Sequence, residues 1–170
     1  MKNLFEDKKA KSKSFFLKDN YKFFDQKMIK FLEKTFLKIK KDVRICLHQN
    51  SSDKHHDMII LQQKNNFYLP HKHLKKGETY HIIKGSMASI FFNNNGKIKK
   101  IYKLVKDNIF RTPINTYHTM IPLTKYVIYH ESKIGPFLKK NDSIFPKWNN
   151  KFNNKIEIAR FKKKVLKIIK

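Results

Sequence analysis

The segment Leu69-Pro70-His71-Lys72-His73-Leu74-Lys75-Lys76-Gly77-Glu78, answered further along by Pro113-Ile114-Asn115-Thr116-Tyr117-His118, decides how this chain is to be understood. Two histidines two residues apart on an extended strand point to the same face. Phe67 and Leu69 share that parity and are expected to line the same interior. Glu78 has the wrong parity to continue the strand of His73. The Lys75-Lys76-Gly77 turn resets the chain, so that Glu78, Tyr80 and Ile82 face inward on the next strand. His118 follows a turn marked by Pro113 and Asn115. Three imidazoles and one carboxylate form a complete ligand set for a divalent transition metal, which makes His71, His73, Glu78 and His118 candidate metal ligands.

The surrounding sequence supplies strands for such a site. Strand-like runs are expected at 43–48, 56–63, 66–73, 79–84, 86–93, 97–105, 108–112, 118–122 and 125–131. Short strands at this close spacing indicate a sandwich or barrel. Asn93-Asn94-Asn95-Gly96-Lys97 is a hairpin signal, because Asn and Gly tolerate positive φ. Ahead of the strands, residues 21–41 carry Phe24, Met28, Phe31, Leu32 and Phe36 near helical spacing, with lysines between them. Residues 1–20 are rich in lysine, show no period and are expected to lack fixed structure. Residues 138–170 form a basic extension. There Phe145-Pro146-Lys147-Trp148 is placed to dock rings on the barrel, and Ile158, Phe161, Val165 and Leu166 share a helical face. A basic amphipathic helix can lie on an anionic membrane, but packing on the domain or on a second subunit is the preferred expectation.

Composition narrows the class. A chain of 170 residues with 40% apolar and 14% aromatic side chains can build one domain with a real core. One cysteine, Cys46, excludes an intramolecular disulfide and suits a reducing compartment. It is expected to be a small buried hydrophobe. The charged start has no leader-like apolar run, and no stretch approaches a membrane span, so a cytoplasmic protein is expected. The net charge of +26 raises the question of polyanion binding, but only three of the 39 basic residues are Arg (Arg44, Arg111 and Arg160). Arg supplies the bidentate base contacts of nucleic-acid readers, so nucleic acid is not the favoured partner. Against this lysine background Arg44 and Arg111 are candidate ligand-binding residues for a carboxylate or phosphate.

The ligand pattern resembles the cupin superfamily. His71, His73, Glu78 and Gly85 match its first motif, and Pro113 and His118 its second, with Asn115 in place of a glycine. Arg44-Ile45-Cys46-Leu47-His48, Asp57-Met58, Leu69-Pro70-His71-Lys72-His73, Asn94-Asn95-Gly96 and the run from Glu131 to Gly135-Pro136-Phe137 are similar to the WbuC family of cupin-fold metalloproteins, over about residues 22–137. The resemblance implies a mainly β chain: a single cupin (double-stranded β-helix, or jelly-roll) barrel at residues 21–137, with a leading N-terminal helix and a basic C-terminal helical segment. It implies one divalent transition metal (Fe, Mn, Zn or Ni), a homodimer, and a setting in bacterial surface-polysaccharide gene clusters.

Beside the metal, His48, Tyr80 and Glu131 are the candidate catalytic residues. His48 lies at the end of the first barrel strand, Tyr80 has inward parity, and Glu131 shares a face with Tyr129. His81 has outward parity, and His55-His56 reads as a loop without a role. The leading expectation is a metal-dependent isomerase or epimerase acting on a sugar nucleotide, its ligand a carbohydrate or an oxyanion. The alternatives are a non-catalytic metal or small-ligand binding module and a polyanion-binding protein using the lysine-rich tails.

Overall fold

The computed structural model describes residues 3–10, 12–138 and 142–169. The expected terminal segments therefore fall outside it at residues 1, 2, 11, 139–141 and 170. Among the described residues ten strands form two sheets: β1 (Leu4–Glu6), β2 (Lys13–Leu17), β3 (Val43–Cys46), β4 (His55–Gln63), β5 (Glu78–Lys84), β6 (Ser86–Phe92), β7 (Ile98–Val105), β8 (Ile109–Thr112), β9 (Tyr117–Pro122) and β10 (Tyr126–Ile134). The larger sheet runs in the order β1-β2-β3-β4-β10-β5-β8, and the smaller in the order β7-β6-β9. Met58, Tyr80 and Ile82 of the first sheet pack on Met87, Leu104 and Met120 of the second. The two sheets lie against each other in the jelly-roll manner and do not close into a continuous barrel.

The start of the chain differs from expectation. Within residues 1–20, β1 and β2 form a hairpin, and β2 pairs in parallel with β3, Phe15 opposite Ile45 and Phe16 opposite Cys46. The lysines obscure this in the sequence, yet Phe15 and Leu17 are buried. A parallel pair needs a crossover. Helix α1 (Gln26–Ile39) supplies it. Its N-cap is Asp25, whose side chain accepts from the Met28 amide at 3.0 Å. Its C-cap is Lys40, in a left-handed turn with φ 53°. The helix buries Ile29, Leu32 and Phe36 against Phe15, Val43, Ile45 and Leu61.

The extension is built onto the other sheet. Helix α2 (Lys155–Ile168) is capped by Asn154 and packs Phe161 and Val165 on Ile90, Phe92 and Ile121. Trp148 lies 5.1 Å from the Phe92 ring and donates from Nε1 to the Asn94 carbonyl at 2.9 Å. No helix among the described residues is long and apolar enough to cross a membrane.

The stretch 66–73 is not a strand. Pro70 cannot donate to a ladder. Only His71 pairs with His118, as an isolated bridge, and Lys72 with Ile144. Phe67 turns away from the expected interior to meet the rings of Phe152 and Phe161 at 5.2 and 5.9 Å. Leu69 is exposed.

Candidate metal centre

His71, His73, Glu78 and His118 converge, and their ligand atoms lie within 4.8 Å of one another. Three separate pieces of chain achieve this. The bridge between His71 and His118 locks the extended segment to β9, with backbone bonds of 3.1 and 2.9 Å. The second turn brings the Asn115 amide to the His73 carbonyl at 2.7 Å, with Asn115 in the left-handed region at φ 53°. Glu78 opens β5, as the reset by the Gly77 turn requires.

Each imidazole is oriented by a backbone carbonyl. His71 Nδ1–H donates to Leu69 at 2.9 Å and His118 Nδ1–H to Thr116 at 2.9 Å, while His73 Nδ1–H donates to the carbonyl of Asp142. With Nδ1 carrying the proton, each Nε2 keeps its lone pair for the centre, the arrangement expected of metal-binding histidines. His73 Nε2 lies 3.0 Å from Glu78 Oε1 but makes no hydrogen bond, so a buried ring nitrogen is left unpartnered among the described residues. The donor set, the tautomers and this orphaned nitrogen fit a divalent transition ion. Burial, then His118, pushes His71 down to about 4, which keeps it neutral and able to ligate at ordinary pH.

Glu78 is heavily engaged. Its Oε2 lies 3.1 Å from His118 Nε2 and accepts from the Tyr80 hydroxyl, and its Oε1 accepts from Lys133 Nζ at 3.0 Å. Burial pushes the Glu78 carboxyl up, but the Lys133 ammonium outweighs it and holds it well below the usual carboxylate range. The sequence reading missed Lys133, which also pairs with Glu131 at 3.0 Å. Strand register explains the grouping: His56, Lys133, Glu78 and Thr112 form one row across β4, β10, β5 and β8.

The centre opens into a cavity of about 1620 Å³, whose wall includes Arg44, His48, Tyr80, Glu131 and Lys133. His48 donates from Nδ1 to the Asp57 carbonyl at 3.0 Å and stacks on His56 at 4.1 Å. Burial pushes His48 down to about 4. His56, read from sequence as a loop residue, is buried on β4 and is part of this wall, as its parity with Met58 would have shown. Arg44 donates from Nε to Ser14 Oγ at 2.6 Å and makes no ion pair among the described residues. Cys46 is buried on the same wall. Arg111 is not brought to the site. It lies on the outer face of β8, exposed, with Nη1 donating to Thr79 at 3.2 Å. Its neighbours Phe110 and Thr112 take the inward parity instead.

The extension completes the centre. Asp142, whose carbonyl holds His73, is buried with its carboxylate on Lys76 Nζ at 2.5 Å. Phe145 lies 5.9 Å from the His71 ring, and Asn149 donates to the Pro70 carbonyl at 2.8 Å.

A family model described as "Domain of unknown function (DUF6016)" matches residues 25–104, a span that holds His71, His73 and Glu78 but not His118. No curated protein matches in sequence. Among solved structures, the capsular polysaccharide assembling protein CapF from Staphylococcus aureus is similar at 15% identity and TM-score 0.51, over 62% of this chain and 31% of that one. Oxalate decarboxylase from Lactobacillus farciminis, in a formate complex, is similar at 17% identity and TM-score 0.45, over 55% and 27%. KdgF from Halomonas sp. is similar at 12% identity and TM-score 0.46, over 58% and 83%. The chain thus spans about a third or less of the first two proteins. The likeness to CapF shows the fold, a mainly β cupin of the jelly-roll type.

Proposed function

We propose that this cupin-fold chain binds one divalent transition metal through His71, His73, Glu78 and His118, and uses it on a small carbohydrate or oxyanionic ligand held in the adjoining cavity. One observation carries the reading: four ligand atoms within 4.8 Å, with every imidazole oriented by a carbonyl, at the wall of an open cavity. The catalytic version is isomerisation or epimerisation of a sugar nucleotide in surface-polysaccharide synthesis. The likeness to the WbuC family supports that setting, as does the capsule assembly that CapF's name records.

When bound, the ion supplies Lewis acidity for a ligand carbonyl or hydroxyl. The chain's own groups then divide the remaining work. His48 is neutral at ordinary pH, and Nε2 is its basic atom because Nδ1 is held by Asp57. It is the residue placed to accept a proton from a ligand in the cavity. Glu131 is the second proton carrier, its Oε1 lying 3.0 Å from Lys133 Nζ. Tyr80 acts differently from the sequence expectation: its hydroxyl is committed to Glu78, so it positions the carboxylate.

Metal analysis of the purified protein tests the reading. Wild type should carry near-stoichiometric metal, and the His71→Ala/His73→Ala variant should lose it. Equal trace metal in both ends the proposal. Turnover of sugar nucleotides by the metal-loaded protein then separates catalysis from the alternative, a non-catalytic metal or ligand binding module.

A further inference from the structure

We infer that Lys133 is an anion-reading residue: its ammonium receives the acid group of the ligand, so the cavity selects ligands bearing a carboxylate or phosphate over neutral ones. The inference rests on the metal-binding reading above and deepens it by naming the ligand class.

An ammonium has three N–H groups. In Lys133 two of them are used, on Glu78 Oε1 and Glu131 Oε1, each at 3.0 Å. The third has no partner among the described residues, and Lys133 lines the cavity. A side chain only 14% exposed, with an unused charged donor beside an open volume, is built to receive an acceptor.

Charge gives the same direction. Without metal, Glu78 and Glu131 face one ammonium, so this trio carries one excess negative charge. The three imidazoles add none when neutral. A divalent ion on Glu78 reverses the balance to one excess positive charge, in a wall where such a charge is poorly screened. A neutral ligand gains nothing from this change, whereas an oxyanion does.

Arg44 does not share this group. It pairs across β4 with the level of Tyr129, four residues before Lys133 on β10. Its Nη1 lies 4.0 Å from Met58 Sδ, at the level of Glu131. Lys133, which donates to Glu78 itself, is the cation that adjoins the ligand quartet.

Cobalt(II)-loaded protein tests this by its visible absorption. Acetate and inorganic phosphate are titrated separately, with ethylene glycol as the neutral comparison. Either anion should shift the spectrum saturably, and ethylene glycol should act only at far higher concentration. The anion that binds more tightly identifies the acid group. Lys133→Met should weaken anion binding at least tenfold, and Lys133→Arg should restore part of it. Glu131→Gln, which removes a competing carboxylate, should tighten it. Cobalt retained without an anion response in wild type overturns the inference while leaving the metal reading intact, as does undiminished binding in Lys133→Met or weaker binding in Glu131→Gln. Failure to retain cobalt removes the metal reading, and this one with it.

Discussion

His73 donates from Nδ1 to the carbonyl of Asp142, a residue 69 positions further along the chain. A metal ligand is thus oriented by the C-terminal extension, and Asp142 is itself held by Lys76, three residues after His73.

Cutting that hold should reach the metal. Lys76→Met removes the ion pair with Asp142, and metal affinity is expected to fall by about 10- to 100-fold, the usual cost of losing a group that orients a ligand. Chelator competition with a metallochromic dye measures it. An unchanged affinity shows that Asp142 is positioned by other contacts.

His48 imposes a pH dependence on stability. Its folded value of about 4 lies below the ordinary imidazole value of 6.5, so between these limits the unfolded chain binds a proton that the folded chain does not. Stability from this group is complete above about 6.5 and is lost as pH falls towards 4, by at most about 3 kcal/mol. His48→Phe removes the proton site while keeping a ring against Phe16. Urea unfolding at pH 7 and pH 4.5 should show a smaller loss in the variant, and equal losses refute the assignment.

Gly96 joins the β6–β7 hairpin to the extension. Its φ is +79°, and an added Cβ would lie 2.7 Å from Cδ2 of Trp148. Gly96→Ala should cost about 1–3 kcal/mol in denaturant unfolding. Trp148 fluorescence should change as its ring is pushed from Phe92. A stable variant with unchanged emission counts against this packing.

Leu32 on α1 is fully buried among Phe36, Val43 and Ile45. Leu32→Ala should destabilise by about 2–5 kcal/mol, with metal stoichiometry unaltered because this cluster lies apart from the ligands. Loss of metal in a variant that remains folded would show that the helix side of the sheet supports the centre.

The ligand quartet was legible because imidazole pairs, a reset of strand parity and two turns all leave marks in sequence. The expected strands of the jelly roll appear from β3 to β10 for the same reason, except at 66–73, where Pro70 outweighs the apolar alternation. Lys133 left no such mark. Among 36 lysines one more is invisible, although extending the parity of Tyr129 and Glu131 by two residues would have turned it inward. Arg111 attracted notice by rarity, but rarity does not choose a face of a strand. The carbonyl of Asp142 was beyond reach, since a backbone acceptor has no residue signature. The hairpin near the start was hidden because its pairing partner β3 lies beyond an entire helix.

The dependence of His73 on Asp142 also sets an order of events in the making of the protein. A chain is synthesised and begins to fold from its N-terminus. All four ligands precede residue 119, whereas the carbonyl that fixes one of them comes from Asp142 and the ring that anchors that segment from Trp148. The nascent chain therefore displays its metal-binding side chains before it can hold them in register. Tight metal capture becomes a late step of maturation, coupled to emergence of the extension rather than of the motif.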